Sequence, residues 1–173
     1  MTDRQAAPVA LTYAETGAFR RLVRRTAATR PLIWLYIRIQ RPTDRLVYAL
    51  TRGRATASSV LSGIPVVMLT TTGAKTGQPR TLPVVAIADG EGYVMIASNY
   101  GSPHHPAWYH NLRAHPQATV TADGVERPVE AHELTGEERD RAYREAAELH
   151  PAFDVYEQRT QGRTIPVLRL EPA

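Results

Sequence analysis

The 173-residue sequence predicts a single domain of the α+β class that is mainly β, with an antiparallel sheet curled into a barrel. Short runs of strand-forming residues recur along the second half of the chain. Two hairpin-turn dipeptides, Asp89-Gly90 and Asp123-Gly124, lie between such runs. Consecutive hairpins favour an antiparallel barrel over a doubly wound parallel sheet, because parallel strands need long crossover connections.

Each element has a local signal in the sequence. In the N-terminal part, apolar residues recur at helical spacing, and prolines and a glycine end the helices. Further on, Pro106 begins a helix, and Thr135-Gly-Glu-Glu138 is a capping box. The predicted helices span 14–30, 44–51, 107–114 and 135–149, and the predicted strands span 65–70, 80–88, 93–98, 117–122, 125–134 and 165–170.

The formal net charge of +4 divides the chain into two predicted parts. Residues 1–63 carry eleven basic and three acidic side chains, a net charge of +8, and are expected to form a basic helical N-terminal arm. Residues 64–173 carry ten basic and fourteen acidic side chains, a net charge of −4. We expect this second part to form the barrel domain.

Composition excludes several classes of site. The chain has no cysteine, which rules out disulfides, thiolate nucleophiles and cysteine-ligated metal sites. The most apolar run, residues 31–39, is far shorter than the roughly 20 residues that a membrane-spanning helix needs. The N-terminus has no signal-peptide h-region, so we expect a cytoplasmic protein.

The only lysine of the chain, Lys75, lies in a turn rich in glycine and threonine between the first two predicted strands, and Arg80 follows it. Small residues let backbone N–H groups approach an anion, which ammonium and guanidinium groups attract. A Walker A loop is excluded by the glycine spacing and by the strand that follows. The pattern favours phosphate binding, and the alternative is an ordinary hairpin turn with one solvated lysine.

Four of the six histidines lie close together in the sequence. His105, His110 and His115 are five residues apart, so each is rotated by about 140° from the last on a helix, and no carboxylate lies nearby. We therefore expect no metal site. Trp108 and Asn111 share a helix face and together suit a heteroaromatic ring. The alternative for this pair is a core tryptophan beside a loop-binding asparagine.

Three blocks of the sequence resemble the deazaflavin-dependent nitroreductase family, which are actinobacterial oxidoreductases that use coenzyme F420. The resemblance covers residues 15–172, and the blocks occur in the family's order. They are TTTGAKTGQPRTLPV, IASNYGSPHHPAWYHNLRAHP and LTGEERDRAYREAAELHPAFDVYEQRTQGRTIPVLRLEP. The resemblance implies a split β-barrel that binds the reduced deazaflavin, whose hydride passes to a quinone, nitroaromatic or enone.

The resemblance also implies the site residues. The implied cofactor-binding residues are Ala74, Lys75, Thr76 and Arg80 for the phosphate and acidic tail, Thr81, Leu82, Pro83, Val84 and Val85 beside the ring system, and Ile96, Ala97, Ser98, Asn99, Ala107, Trp108, Tyr109, His110 and Asn111 as further contacts. The implied acceptor-binding residues are Trp108, His150, Phe153 and Tyr156. As catalytic residues, Ser98 or Tyr156 would hydrogen-bond the acceptor oxygen or conduct a proton.

Two alternatives accompany this interpretation. One is a split barrel that binds FMN, and the other is a non-catalytic protein that sequesters its cofactor. Departures from the family's pattern bear on the second alternative. This chain has Asn99-Tyr100 where the family often has Lys-Gly, and it has His150 and Phe153 where nitroimidazole-reducing members have tyrosines.

The basic arm has three interpretations. Its arginines accompany aromatic and aliphatic residues, which suits an anionic membrane surface on the inner face of the cell membrane, where lipid-soluble quinones are found. The alternative is a set of helices packed on the barrel with their arginines in water. Nucleic acid is not an expected partner, because the chain has no nucleic-acid motif and the barrel domain is acidic. The sequence leaves the oligomeric state open.

Overall fold

The structure is a computed structural model, and it describes residues 65–173 together with Thr43 and Val47. Thr43 and Val47 are both helical. The rest of the predicted N-terminal arm lies outside the described residues, so the domain boundary after residue 63 stays a prediction. No helix among the described residues is long and apolar enough to cross a membrane.

Seven strands form one antiparallel sheet, which confirms the predicted fold class. The strands are β1 (Val66–Thr72), β2 (Pro79–Val85), β3 (Ile87–Asp89), β4 (Gly92–Ile96), β5 (Gln117–Ala122), β6 (Val125–Glu133) and β7 (Val167–Pro172). Their order across the sheet is β2-β1-β5-β6-β7-β4-β3.

The sheet closes into a split barrel because β2 runs directly into β3. These two strands lie at opposite edges of the sheet, and only Ala86 separates them in the sequence. Ala86 is fully buried, and its N–H donates to the Pro65 carbonyl at 3.1 Å. The prediction of a single strand over 80–88 was therefore wrong. The part of this segment before Ala86 pairs with β1, whereas the part after Ala86 pairs with β4.

Three helices occur among residues 65–173: α1 (Ala107–Ala114), α2 (Gly136–Leu149) and α3 (Ala152–Arg159). The prediction of α1 was confirmed at both ends. Thr135 is the N-cap residue of α2, but its side chain makes no capping hydrogen bond, so the predicted capping box was wrong in that respect. The eight-residue helix α3, which begins after Pro151, was not predicted.

Two hydrophobic cores meet at strand β4, whose five residues are all buried. Tyr93 and Met95 face the barrel core, whereas Val94 and Ile96 face a second core formed with α2 and α3. This alternation follows from the two-residue period of a strand. The segment that leaves β4 after Ile96 therefore emerges between the two cores, and this position places the candidate site.

Candidate cofactor and acceptor site

The turn between β1 and β2 is held together by its own backbone. The N–H groups of Gly73 and Gly77 donate to the carbonyls of Gln78 and Gly73 at 2.9 and 2.8 Å, and the Gln78 N–H donates to Thr76 Oγ1 at 3.3 Å. These three N–H groups thus have partners within the turn. The exposed side chains of Lys75 and Arg80 supply the positive charge that an anion would meet there.

Asn111 fastens this turn to helix α1. Its Oδ1 accepts the N–H of Ala74 at 3.0 Å, and its Nδ2 donates to Thr71 Oγ1 at 2.9 Å. The side chain of Asn111 thus uses both halves of its amide within the protein. This is the loop-binding role that the sequence left open as an alternative to contact with a heteroaromatic ring.

The remaining residues of α1 divide between core and solvent. Trp108 and Tyr109 are buried in the barrel core, whereas Ala107 and His110 are exposed. The Tyr109 hydroxyl donates to both carboxylate oxygens of Glu133, at 3.1 and 3.0 Å. Burial and this hydrogen bond raise the pKa of Tyr109. Trp108 is therefore a core residue, and α1 presents only part of its surface to the site.

Strand β2 lies at an edge of the sheet, so one side of its backbone faces away from the other strands. Thr81 is exposed, Leu82, Pro83 and Val85 are half-buried, and Val84 is buried. The hydroxyls of Thr81 and Thr70 are 2.8 Å apart across the β1–β2 pair. The strand predicted to lie along the ring system thus has an edge, next to the cationic turn, that no strand of residues 65–173 covers.

Three consecutive residues after β4 adopt the left-handed conformation, which the sequence analysis did not predict. The φ angles of Asn99, Tyr100 and Gly101 are 49°, 57° and 78°. Non-glycine residues rarely adopt such angles, and strained backbone of this kind is often found at functional sites. The Asn99 side chain is turned into its own loop, where Nδ2 donates to the His104 carbonyl at 2.9 Å.

Arg163 is the principal residue of this region that the sequence analysis missed. It lies between α3 and β7, and its Nη2 donates to the carbonyls of Ser98 and Ser102 at 2.8 and 3.0 Å. Its Nη1 donates to Nδ1 of His105 at 3.0 Å. Burial lowers the pKa of Arg163. The sequence shows only an arginine in a turn segment. Its partners are 58 or more residues away, and no local sequence pattern links residues so far apart.

His105 links Arg163 to helix α1. Its ring lies 4.8 Å from the ring of Tyr109 and 5.8 Å from that of His110, measured between centroids. Burial, followed by the positive charge of Arg163, lowers the pKa of His105. The imidazole is therefore neutral at pH 7, and Nδ1 is the acceptor while Nε2 carries the proton.

Among the described residues, no group of three or more histidine or acidic side chains is placed to hold a metal ion.

Three of the four predicted acceptor-binding residues come together around α3, whereas the fourth, Trp108, lies in the barrel core. His150, Phe153 and Tyr156 are all buried, and their rings form edge-to-face pairs with centroids 4.9 Å apart for His150–Phe153 and 6.3 Å for Phe153–Tyr156. Tyr100, on the left-handed turn, contacts Tyr156 edge-to-face at 5.9 Å. The Tyr143 hydroxyl supports this cluster by donating to the Phe153 carbonyl at 3.0 Å.

Ser98 lies between the two groups of predicted residues. It is 8% exposed, its N–H donates to the Ile96 carbonyl, and its carbonyl accepts from Arg163 and from the Gly101 N–H. The neighbouring residues Ile96 and Ala97 are buried as well. Asn111 joins the cationic turn to α1, and Tyr109 on the same helix connects through His105 and Arg163 to Ser98. Tyr100, in the turn that follows Ser98, then contacts Tyr156.

Comparison with known proteins places the chain in a family. Residues 43–172 match the family model of F420H(2)-dependent quinone reductases. An F420H(2)-dependent quinone reductase of Mycobacterium tuberculosis (strain H37Rv) is 39% identical over 92 residues, which are 50% of this chain and 61% of that relative. The match thus spans less than two thirds of the length of this relative.

Two solved structures are similar to this chain. An F420-H2 dependent reductase shares 40% identity with a TM-score of 0.57, and the match covers 62% of this chain and 94% of that one. A protein solved as a domain-swapped dimer shares 34% identity with a TM-score of 0.60, over 82% of this chain and all of that one.

The family match refines the resemblance seen in the sequence. The family description names quinone reductases rather than nitroreductases, and its reductant is F420H2, which supports F420 as the cofactor in place of the alternative FMN. The matched segment is three quarters of the chain and includes all of these residues from the cationic turn to Tyr156. The chain belongs to the F420H(2)-dependent quinone reductase family, whose members are oxidoreductases.

Proposed function

We propose that this protein is an F420H2-dependent oxidoreductase that reduces a quinone by hydride transfer. The observation that carries the proposal is the arrangement around the cationic turn. Lys75 and Arg80 are exposed there, while Asn111 fastens the turn to α1 and thereby to the segment that holds Ser98. A long anionic cofactor can thus contact the cations with its tail and Ser98 with its ring system.

The donor set fits this cofactor. Lys75 and Arg80 suit the phosphate and acidic tail, because ammonium and guanidinium groups bind such oxygens by charge-assisted hydrogen bonds. No acidic residue occurs between Thr70 and Val85, so no carboxylate of this segment repels the tail. The edge strand β2 and the backbone of Ile96–Ser98 are the proposed contacts of the ring system.

When bound, reduced F420 supplies a hydride, and the protein supplies position and polarity. A quinone needs a proton as well as a hydride to become a quinol. Ser98 and Tyr156 are the proposed catalytic residues, since each carries a hydroxyl that can donate to the acceptor oxygen as negative charge develops on it. The cluster of His150, Phe153 and Tyr156 excludes water from this side, because all three side chains are buried.

The proposed acceptor is a quinone, with nitroaromatics and enones as weaker substrates. The edges and faces of Tyr100, Phe153 and Tyr156 suit a flat, uncharged ring. The same residues provide few donors for a nitro group, since Phe153 has none. Turnover of reduced F420 with menadione, followed by the absorbance of oxidised F420, tests the proposal. Failure of the protein to oxidise F420H2 with menadione or any other quinone would contradict it.

The cationic turn is tested by paired substitutions. Lys75→Ala with Arg80→Ala removes two positive charges from the turn. We therefore expect the Kd for F420 to rise at least tenfold, which corresponds to a loss of about 1.4 kcal/mol of binding free energy. Arg141→Ala with Arg144→Ala removes the same charge from exposed positions on α2 and is the control. Equal affinities of the two double variants in a fluorescence titration would rule out the assignment.

We further propose that the basic arm docks the protein on the anionic inner surface of the cell membrane, where quinones are found. The cluster Arg20, Arg21, Arg24 and Arg25 carries this proposal by its charge, although it lies outside the described residues. The full-length chain with all four arginines changed to Gln is expected to float less with anionic vesicles than the unchanged chain. Equal flotation of both, or equal flotation with neutral vesicles, would contradict docking through the arm.

A further inference from the structure

Arg163 ties together the two ends of the left-handed turn at 99–101. Besides Nη2, its Nε donates to the Ser102 carbonyl at 3.1 Å, and Nη1 reaches the Ala97 carbonyl at 3.4 Å. With the bonds to the Ser98 carbonyl and to His105, one guanidinium thus contacts four residues that flank the turn on both sides. Among the described residues Arg163 forms no salt bridge, so its partners are neutral acceptors rather than carboxylates.

The turn needs such an external restraint. Asn99 and Tyr100 are consecutive non-glycine residues with positive φ, and each costs on the order of 1–2 kcal/mol relative to the right-handed region. Within the turn, the Gly101 N–H donates to the Ser98 carbonyl at 3.1 Å, and the Ser102 N–H donates to the Asn99 carbonyl at 3.0 Å. Strained backbone persists where its surroundings hold it in place, and the hydrogen bonds of Arg163 do so from outside the loop, beside the packing of Tyr100 on Tyr156.

The left-handed turn positions one residue on the cofactor side of the candidate site and one residue on the acceptor side. Ser98, immediately before it, has its carbonyl held by Arg163, and Tyr100, within it, packs its ring against Tyr156. A shift of the turn therefore moves the cofactor side and the acceptor side together. Displacements of about 1 Å at such positions can reduce a reaction rate about a hundredfold.

We propose that Arg163 is a positioning residue for hydride transfer, which holds the left-handed turn so that Ser98 and Tyr100 keep the cofactor and the acceptor in the reactive arrangement. This inference rests on the proposed function, and it adds a residue that acts only through the turn. The fork of the guanidinium is essential to this role, because a single ammonium group cannot reach carbonyls on both sides of the turn and an imidazole nitrogen at once.

The test compares Arg163→Lys and Arg163→Gln with Arg139→Lys in the full-length protein. Arg139 is a matched control, because it is also half-buried and donates to a backbone carbonyl, that of Ile165, at 2.8 Å. For each variant, thermal unfolding, amide hydrogen exchange of the peptide covering 97–105, and kcat and KM with menadione are measured. If Arg163→Lys does not fold, Arg163→Gln alone is compared with Arg139→Lys.

We expect both Arg163 variants to exchange faster over 97–105 and to lose at least tenfold in kcat with a smaller change in KM, while Arg139→Lys does neither. Unchanged exchange over 97–105 together with an unchanged kcat would overturn the proposal. So would a loss of kcat that only matches the loss of folded protein. If the unsubstituted protein fails to turn over F420H2, the proposed function fails, and the exchange data still decide whether Arg163 restrains the turn.

Discussion

The side chain of Asn111 fastens the cationic turn to helix α1 by two hydrogen bonds. The amide accepts from Ala74 and donates to Thr71, whereas an ionised aspartate could only accept. The sequence predicted the position of Asn111 on a helix, together with two alternative roles. The choice between them depended on residues 37 and 40 positions away, which only the folded chain brings into contact.

Replacement of Asn111 tests this connection. Asn111→Ala removes two hydrogen bonds at partly exposed positions, and we expect the free energy of unfolding to fall by about 1–2 kcal/mol. Thr71→Val, which keeps the shape of the side chain, removes one partner. The double variant should lose less than the sum of the two single losses in urea unfolding, since the variants share one hydrogen bond. Strict additivity would show that the contact contributes nothing.

His105 makes stability depend on pH in a direction that the structure determines. Its pKa is lowered, so the unfolded chain binds the extra proton more readily than the folded one, and stability falls as the pH drops through the unfolded pKa of about 6.5. Besides Arg163, the charged or titratable groups around it are His110, Glu133 and Arg113, and Tyr109 packs on its ring.

His105→Asn offers an acceptor to Arg163 without titrating. We expect the loss of unfolding free energy between about pH 7.5 and 5.5 to be smaller in this variant than in the unsubstituted protein, because one destabilising protonation is removed. Urea unfolding at both pH values provides the measurement. His115→Asn, at an exposed position, is the control. An equal pH dependence in His105→Asn and the unsubstituted protein would contradict the assigned role of His105.

At the scale of elements, the left-handed turn and α3 form one packed unit. A Cβ built on Gly101 would lie 2.7 Å from both the Tyr156 carbonyl and Arg159 Cβ, and its φ of +78° already favours glycine. The turn thus lies directly on the helix that carries Tyr156. The closeness of backbone to backbone explains why a side chain cannot be accommodated at this position.

Gly101→Ala should destabilise the protein by about 2–4 kcal/mol, which combines the left-handed conformation with a steric clash. Gly162→Ala is the matched control, since Gly162 has a φ of +89° but open space around its Cβ position. We expect that variant to cost about 1 kcal/mol. Urea unfolding compares the two. Equal losses would mean that the packing of the turn on α3 adds nothing to the conformational cost.

Elements with strong local signals were the ones predicted best. Helix α1 and strand β5 were confirmed at both ends, because prolines at 106 and 116 mark their starts. The break at Ala86 and the short helix α3 were missed. The first depends on which strands each half of the segment pairs with, and the second has too few residues for a clear helical period.

At the scale of the whole molecule, Arg169 connects three elements that are distant in sequence. From β7, its Nε donates to Asp89 of β3 at 2.9 Å and its Nη1 donates to Glu138 of α2. Both carboxylates are partly exposed. The side chain thus fastens one edge of the barrel to the helix beside it, through contacts that salt can screen.

We expect Arg169→Gln to lower the free energy of unfolding by about 1 kcal/mol at low ionic strength. The loss should shrink in about 1 M NaCl, where the screening length is about 3 Å. Arg144→Gln, at an exposed position on α2, is the control. A loss that does not depend on salt would indicate packing by the arginine stem instead of ion pairing.

The antiparallel barrel, most of its strands, and the cationic turn with Lys75 and Arg80 were predictable from the sequence alone. Such features depend on residue type, two-residue alternation and turn dipeptides, which are local. The folded chain was needed to show that Trp108 is a core residue, that Asn111 anchors the cationic turn, and that Arg163 bonds to both ends of the left-handed turn. Those roles depend on contacts between residues tens of positions apart, and packing of the two cores around β4 brings them together.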